Sequence, residues 1–360
     1  MSELLDQRVY FVVPDAIDDS DRVSGGNVYD RHVRAGLLDG GWDVRMLELP
    51  DLAGSLRPTL SALPLGALVL LDGLLAVREP DALIEQAGRL RIVVLAHMVA
   101  SLLHETGRAG DAVASAEQER DALRAAQRVV ATSNWTRSEL VSRGLAEPHR
   151  VVVAHPGTDA APATVPSLSG GRVLCVGVVA AHKGQDLLVH ALARLTDVGD
   201  DWACTFVGSL DRDSGFVADL RRDVERAALT DRVVFSGVLA GPALAKAYSR
   251  ADLVVVPSRS ESYGMVAAEA LARGIPVVAT DVGGIPEAIA GNPGGVVVPP
   301  EDPWALEVVL RQWWTDPSRR RGLTAAALRA RETARTWDTT IAAIAATLRE
   351  VALSESAVTR

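Results

Sequence analysis

The sequence predicts an α/β protein built from two doubly wound parallel sheets, and three observations support this. Short Val-rich runs alternate with Ala/Leu/Arg-rich helical stretches along the chain. Hydrophobic residues make up 48% of the chain but aromatic residues only 4%, so the cores consist mainly of Val, Leu, Ile and Ala, as in sheets covered by helices on both faces. A length of 360 residues fits two domains of ordinary size.

Six predicted strands lie in each half of the chain. Those of the first half are RVYFVVP, GWDVRML, GALVLLD, RIVVLAH, RVVATS and RVVVAHP, and those of the second are GRVLCVG, WACTFVG, RVVFSG, ADLVVVP, PVVATD and GGVVVPP. This rhythm indicates two similar Rossmann-like domains. Ligands of such sheets bind at the carboxyl ends of the strands. We therefore expect functional residues directly after strands, in a central cleft that the two domains face.

The predicted domain boundaries follow a change in composition. Residues 159–171, DAAPATVPSLSGG, are rich in Pro, Ala, Ser and Gly and carry no periodicity, which is typical of a linker. We expect a first domain at 1–160, a linker at 161–171, a second domain at 172–335 and a C-terminal helix at 336–360. The apolar stretch TTIAAIAATLRE in the last segment has no partner nearby in sequence. We expect this helix to return to the first domain.

Composition excludes several classes of function. A net charge of −9 and a pI of about 5.4 argue against a nucleic-acid partner. No apolar run reaches the length of a membrane span and MSELLDQR lacks a signal core, so we expect a cytoplasmic protein. Cys175 and Cys204 lie in apolar runs, as small buried residues do. No Cys/His cluster has the spacing of a metal site, and we expect no metal or other cofactor.

The stretch ESYGMVAAEA carries carboxylates at both ends, Glu261 and Glu269. Gly264 is a natural opening for a helix that begins at Met265, and the free amides at such a helix end favour an anion, typically phosphate. Two carboxylates would repel a phosphate. They are better suited to accept hydrogen bonds from hydroxyl groups on either side of it, a sugar at one end and a ribose at the other. The spacing alone also fits an acidic loop followed by a solvated helical Glu.

The longer stretch PSRSESYGMVAAEALARGIPVVATDVGGIPEAI closely resembles the signature of glycosyltransferase family 4, the retaining enzymes of GT-B fold. The resemblance runs from about residue 8 to 350 and is specific at 252–290. It implies that Glu261 contacts hydroxyl groups of the donor sugar and that Glu269 holds the ribose. The amides of the Gly264–Met265 pair would contact the diphosphate.

The loop VGVVAAHKG supplies a second part of the implied donor site. Lys183 lies beside a predicted helix start, where a cation suits a diphosphate. The family usually carries Arg directly after the strand glycine, where this chain has Val178. Arg259, two residues before Glu261, is a candidate replacement. Solvated loop side chains are the alternative for Lys183 and Arg259.

The first domain contributes the remaining candidates. The segment VSGGNVYDRHV contains Gly25 and Gly26, a pair that touches the diphosphate and borders the acceptor in the family, followed by Asn27, which would contact either substrate. His97 ends the fourth predicted strand, and a His near this point in the family contacts the donor sugar or its leaving phosphate. An ordinary turn and a locally satisfied His are the alternatives here.

Two further residues at predicted strand ends are candidates for contact with the acceptor or the sugar. These are Asp72, after LVLL, and Ser133, after RVVAT.

The resulting hypothesis is a retaining, metal-independent glycosyltransferase that moves a sugar from a nucleotide diphosphate sugar to an acceptor hydroxyl. Its catalytic candidates are Glu261, His97 and Lys183. A sugar-nucleotide epimerase or a phosphorylase is one alternative, although a phosphorylase needs a lysine for pyridoxal phosphate and the chain has only Lys183 and Lys246. A non-catalytic nucleotide-sugar binding protein is another, favoured by Val178. The donor base and sugar, the acceptor and the oligomeric state are undetermined.

Overall fold

The computed structural model describes residues 7–15, 17–50, 54–105, 115–199, 201–289 and 291–354. The chain divides into two compact units. The first unit comprises Met1–Gly157 and Trp337–Arg360, and the second comprises Thr158–Thr336. Residues 355–360 of the predicted C-terminal segment lie outside the described part of the chain.

The first unit begins with alternating strands and helices. Its strands are β1 (Arg8–Pro14), β2 (Asp43–Leu49), β3 (Leu68–Asp72), β4 (Arg91–Ala96), β5 (Arg128–Ala131) and β6 (Val151–Val153). Its helices before the unit boundary are α1 (Gly25–Asp39), α2 (Leu56–Ser61), α3 (Gly73–Arg78), α4 (Pro80–Gln86), α5 (Ala100–Glu105), α6 (Ala116–Ala125) and α7 (Asn134–Ser142).

The second unit repeats this alternation. Its strands are β7 (Arg172–Val176), β8 (Ala203–Val207), β9 (Val233–Gly237), β10 (Leu253–Val256), β11 (Val277–Thr280) and β12 (Gly295–Val298). Its helices are α8 (Gln185–Leu192), α9 (Ser214–Arg226), α10 (Gly241–Ser249), α11 (Met265–Ala272), α12 (Ile285–Ile289), α13 (Pro303–Thr315) and α14 (Pro317–Ala330). The last helix, α15 (Trp337–Leu353), belongs to the first unit.

Both sheets are parallel and six-stranded, in the orders β2-β1-β3-β4-β5-β6 and β12-β11-β10-β7-β8-β9. In each sheet the first strand along the chain lies inside the sheet, with a later strand on either side of it. The order therefore reverses between β1 and β3 in the first unit and between β7 and β10 in the second. Ligands of doubly wound sheets bind beside such a reversal, outside the carboxyl ends of the strands.

The sheets are buried by helices on both faces, which explains their continuous apolar runs. In the first unit, alternate residues of β1 enter different cores, with Val12 in one and Val9, Phe11 and Val13 in the other. The second sheet is divided in the same way, as Cys175 and Leu174 show on β7. Both cysteines are free and buried, as predicted.

Helix α15 packs on the first unit through α1. Its buried side chains include Ile344, Leu348 and Val351, which join the core formed by β1 and α1. The Thr340 hydroxyl donates to the backbone oxygen of His155 at 2.6 Å. The predicted fold class, with two Rossmann-like sheets and a C-terminal helix returning to the first of them, is confirmed.

The segment predicted as a linker is bound to the second unit. The Ser167 amide and hydroxyl both donate to the buried carboxylate of Asp252, each at 2.6 Å. The Trp313 indole donates to the backbone oxygen of Gly170 at 2.7 Å. No helix within the described ranges is long and apolar enough to cross a membrane.

Helices α1 and α15 approach closely at Gly36. For a Gly36→Ala substitution, this packing predicts a loss of stability where helix propensity alone predicts a gain. A Cβ at Gly36 would lie 2.4, 2.8 and 2.9 Å from three atoms of the Ile341 side chain. Propensity favours Ala over Gly in a helix by about 1 kcal/mol, but overpacking costs about 1–3 kcal/mol. We expect Gly36→Ala to lower the free energy of unfolding measured with urea. Gly88→Ala, where a Cβ meets nothing within 4 Å, is the control, and a stabilised Gly36→Ala would contradict the packing.

Candidate functional site

The two loops at the reversal point of the second sheet hold the main candidates. Strands β7 and β10 are neighbours, with Leu253 paired to Val173 and Val254 to Leu174. The loop after β7 ends in a 3-10 turn at Ala181–Lys183, and the loop after β10 leads into α11. The carboxyl ends of neighbouring parallel strands lie at the same edge of the sheet. Residues far apart in sequence therefore meet there.

Lys183 and Glu261 are brought into direct contact. The Lys183 ammonium donates to Oε2 of Glu261 at 2.6 Å, and the two side chains are only 23% and 19% exposed. A pair in this partly buried position is less screened than a surface salt bridge. The sequence predicted both residues as donor contacts, and the structure shows them as partners of each other.

Glycines allow the backbones around this pair to touch. Gly184 has a φ of 66°, and a Cβ there would lie 2.0 Å from the backbone oxygen of Pro257. Gly283 has a φ of 58°, and its Cβ would lie 1.6 Å from the backbone oxygen of Glu261. The next amide, of Gly284, donates to that same oxygen at 3.1 Å. The Asp-Val-Gly-Gly turn therefore fixes the Glu261 backbone, a role that sequence reasoning missed.

Helix α11 opens beside Glu261 with its first amides uncapped. Gly264 is the N-cap residue with a φ of 104°, and no side chain caps this end. The positive end of a helix with free amides attracts anions. The Met265 amide, one of the predicted phosphate donors, belongs to this first turn. The geometry is that of an anion site next to the Lys183–Glu261 pair.

Glu269 is held further along α11. It accepts a hydrogen bond of 2.9 Å from the hydroxyl of Tyr248, which is fully buried. Burial raises the pKa of Tyr248 well above its usual value, and the nearby Glu269 carboxylate raises it further. The phenol is therefore a donor at all ordinary pH values, and it fixes the orientation of the Glu269 carboxylate.

The guanidinium of Arg259 is already bound by carboxylates and a backbone oxygen of the second unit. Its guanidinium binds both carboxylate oxygens of Asp186 at 2.6 Å, Glu301 at 2.7 Å and the backbone oxygen of Ala181 at 2.7 Å. Its own amide donates to the backbone oxygen of His182 at 2.8 Å. The geometry favours a clamp that joins the Lys183 turn to the Glu261 loop over a phosphate contact.

The chain has Val178 at the position where the resemblance implies an Arg. The Val178 backbone oxygen accepts a hydrogen bond of 2.9 Å from the buried Gln185 side chain, which fixes the loop. In this loop, Lys183 is the cationic residue nearest in sequence to the start of α8.

In the first unit, His97 forms a buried cluster with two carboxylates. His97 follows β4, Asp72 ends β3 and Asp30 lies on α1. Nε2 of His97 lies 3.0 Å from Oδ1 of Asp30 and 3.4 Å from Oδ2 of Asp72. The predicted residues His97 and Asp72 thus lie together, beside the reversal point of the first sheet.

Asp30 was missed by sequence reasoning, although a signal was present. On α1 the buried residues include Asp30, Val33 and Leu37, which share one helical face. An acidic residue on the apolar face of a helix requires a buried partner. That pattern was visible in NVYDRHVRAGLL.

The predicted glycine pair lies at the start of α1, next to His97. Ser24 caps this helix by accepting from the Asn27 amide at 3.1 Å, and the Asn27 side chain donates to the backbone oxygen of Arg22 at 3.0 Å. A Cβ at Gly26 would lie 3.4 Å from Cδ2 of His97, so the backbone of Gly26 covers the imidazole. Gly25 is the first residue of the helix.

Ser133 is placed as a helix cap. Its hydroxyl accepts from the Thr136 amide at 2.9 Å and donates to the Thr136 hydroxyl at 2.9 Å, and the residue is fully buried. This geometry favours a role in starting α7 over contact with a sugar.

Comparison with known proteins shows a match between the second unit and one family model. The model of the family described as Glycosyl transferases group 1 matches residues 167–330. D-inositol 3-phosphate glycosyltransferase of Mycolicibacterium vanbaalenii is 36% identical over 236 residues, which are 59% of this chain and 52% of the relative. D-inositol 3-phosphate glycosyltransferase 1 of Catenulispora acidiphila is 34% identical over 225 residues, which are 57% of this chain and 53% of the relative. The chain spans about half the length of these curated relatives.

Solved structures show the same fold over the whole chain. Sucrose-phosphate synthase from Thermosynechococcus elongatus aligns with a TM-score of 0.79 at 23% identity, covering 97% of this chain and 100% of that one. HepE (Alr3699) from Anabaena, solved with UDP and glucose, aligns with a TM-score of 0.73 at 20% identity, covering 95% and 99%. The GT-B fold and the resemblance to group 1 glycosyltransferases are confirmed.

The Arg259 clamp gives a testable consequence for local stability. Arg259→Gln removes its charged hydrogen bonds, each of which contributes about 1.5–3 kcal/mol. Since 1.4 kcal/mol is tenfold in an equilibrium, we expect amides of the 177–186 loop to exchange with deuterium about tenfold faster. Arg311→Gln, which breaks bonds to Asp197 and Glu307 elsewhere in the unit, is the control. Equal protection in both variants would contradict the clamp.

Proposed function

We propose that this protein is a retaining glycosyltransferase that transfers a sugar from a nucleotide diphosphate sugar to an acceptor hydroxyl without a metal ion. The observation that carries the proposal is the Lys183–Glu261 pair beside the uncapped start of α11. It lies within the residues that match the Glycosyl transferases group 1 family. The name of the relative and the UDP and glucose bound to HepE support the coarser part of the proposal, sugar transfer from a nucleotide diphosphate.

The leaving diphosphate needs stabilisation as charge develops on it. Lys183 would supply one positive charge, and the amides of Gly264 and Met265 would supply a helix N-terminus. Together these groups take the part that a divalent cation plays in other phosphate-releasing enzymes, which is why we propose metal independence. Glu261 would accept hydrogen bonds from the sugar hydroxyls, and Glu269 from the ribose.

Retention of the anomeric configuration follows the family resemblance. Among the described residues of the second unit, none stands out as a covalent nucleophile. In a front-face attack, the bond between the anomeric carbon and the phosphate oxygen breaks while the acceptor oxygen bonds to the same face. The acceptor proton passes to the departing phosphate, so the nucleotide diphosphate itself acts as the base.

We propose that donor binding replaces the ion pair present in this structure. The N–H group of Lys183 that donates to Glu261 at 2.6 Å cannot at the same time donate in full to a phosphate oxygen. When the donor enters, the phosphate replaces the carboxylate as the partner of Lys183, and the sugar hydroxyls replace the ammonium as partners of Glu261. A complete nucleotide sugar satisfies both residues, whereas a nucleotide diphosphate alone leaves Glu261 without a partner.

A UDP-sugar is our proposed first donor, because HepE was solved with UDP and with UDP-glucose. Inositol phosphate is the first acceptor to try, because the curated relatives carry that activity in their name. Two other functions are the alternatives. An epimerase would convert the donor without any acceptor. A non-catalytic binding protein would bind the donor without turnover.

The direct test combines binding and turnover. The melting temperature is measured with UDP-, GDP-, ADP- and TDP-sugars in EDTA and in Mg²⁺, since a ligand that binds only the folded state raises it by mass action. We expect a shift with one nucleotide family, equal in both buffers and reduced in Glu269→Ala. Proton NMR of the product then reports the anomeric configuration. An inverted product, or a shift that needs Mg²⁺, would contradict the proposed mechanism.

The ion pair gives a prediction that separates binding from chemistry. Glu261→Gln removes the carboxylate that competes for Lys183, so we expect UDP to bind at least as tightly as to the wild type and up to about tenfold more tightly, a gain of about 1.4 kcal/mol. The sugar hydroxyls lose a charged hydrogen-bond acceptor, because Gln offers one neutral oxygen and an amide donor in its place, so we expect kcat to fall by about 10²-fold or more. Calorimetry and a UDP-release assay measure the two quantities.

The control for this prediction is Glu225→Gln, on the exposed face of α9. It removes the same charge from the same unit and should change neither quantity. Weakened UDP binding in Glu261→Gln would show that Glu261 supports the phosphate site and does not compete with it.

A further inference from the structure

A buried charge cluster in the first unit has no place in the proposed chemistry of the second. Asp30 and Asp72 are 1% and 3% exposed, and the His97 side chain is 8% exposed. Isolated charges at this depth are unfavourable and are retained only with partners. The cluster joins three separate elements, α1, the end of β3 and the end of β4.

Each member of the cluster is fixed by bonds outside it. Oδ1 of Asp72 accepts from the amides of Leu74 and Leu75 at 2.8 and 3.0 Å, which caps α3 and leaves Oδ2 facing His97. The hydroxyl of Thr132 donates to the His97 backbone oxygen at 3.2 Å. Helix α1 is anchored by the neighbouring Tyr29, whose hydroxyl donates to the backbone oxygen of Ala154 at 2.9 Å.

The charges favour a protonated imidazole. Burial lowers the pKa of His97, but the charge and close contact of Asp30, together with the charge of Asp72, outweigh burial and raise it to about 9. Burial raises the pKa of Asp72 to about 6, against the opposing effect of His97. Tyr29, whose ring meets His97 edge-on, stays neutral because burial raises its pKa well above the usual value.

Asp30 is the closer of the two carboxylates. Its Oδ1 lies 3.0 Å from Nε2 of His97 and makes no aligned hydrogen bond within the described ranges. Asp72 lies at 3.4 Å and has a second task as the cap of α3. Within the described part of the chain, the Asp30 carboxylate caps no helix. Its close contact is with the imidazole of His97.

We propose that Asp30 is a positioning residue that keeps His97 a cation throughout the working pH range, so that the ring is a fixed proton donor and not a base. Asp30 and Asp72 occupy Nε2, which leaves Nδ1 to donate to a substrate oxygen. This inference rests on the proposed function for its kinetic readout only. The charge state of His97 can be measured without any substrate.

The kinetic test uses Asp30→Asn, which keeps the shape and removes the charge, with Asp39→Asn on the exposed end of the same helix as control. In the wild type and the control, the activity that depends on protonated His97 falls only as pH rises through about 9. In Asp30→Asn this fall should shift to lower pH by about two units, which gives about a tenfold loss near pH 8 that is recovered at pH 6. An unshifted pH profile would overturn the proposal.

The second readout is NMR of the imidazole nitrogens, with the His97 signals assigned by their loss in His97→Gln. We expect both ring nitrogens of His97 to carry protons at pH 7.5 in the wild type and in Asp39→Asn, and only one in Asp30→Asn. A neutral His97 in the wild type would overturn the proposal even if the enzyme were inactive with every donor tried. Inactivity combined with a charged His97 would instead count against the proposed function alone.

A bound divalent cation is the competing arrangement, because the ligand atoms of the three residues all lie within 4.8 Å of one another. A metal ion needs a deprotonated ring nitrogen. Elemental analysis of the purified protein, together with NMR before and after EDTA, separates the two cases. A stoichiometric metal whose removal returns the proton to His97 would overturn the proposal.

Discussion

The contact between Lys183 and Glu261 is the interaction on which the rest of the second unit depends. It forms only because β7 and β10 are neighbours at the point where the strand order reverses. Two loops separated by almost eighty positions then end at one edge of the sheet. Gly184 lets the loop after β7 touch the backbone of Pro257, and Gly283, in the loop after β11, lets that loop touch the backbone of Glu261. Any larger residue at either position would collide.

Further contacts hold the loops and the helix around this pair. Arg259 joins the two loops through Asp186 and the backbone of the Lys183 turn. The Tyr248 hydroxyl fixes Glu269 on the helix that begins beside the pair. Preorganised charges of this kind stabilise a leaving group without a reorganisation cost at the moment of reaction. In the proposed mechanism, Val178 in place of the implied Arg would leave Lys183 with a larger share of that task.

The sequence predicted all twelve strands, because parallel strands buried on both faces are continuous Val-rich runs that stand out from their surroundings. It also predicted that Lys183, Glu261, Gly264 and Glu269 belong together, because the first three lie in loops after strands and the family resemblance adds Glu269 on the helix that follows. It did not predict the role of Arg259, because the identity of a partner such as Asp186 depends on tertiary packing. Of the cluster around His97, the sequence predicted His97 and Asp72. It did not predict Asp30, because Asp30 lies on a helix and not at a strand end.

The central claim is that Lys183 binds the donor diphosphate after its ion pair with Glu261 breaks. Calorimetric titration of UDP into the wild type and into Lys183→Gln, both in EDTA, tests this most directly. The account predicts metal-free binding to the wild type and at least tenfold weaker binding to the variant, a loss of about 1.4 kcal/mol or more. Equal affinity in the two proteins would show that the phosphate is held elsewhere and would contradict the account.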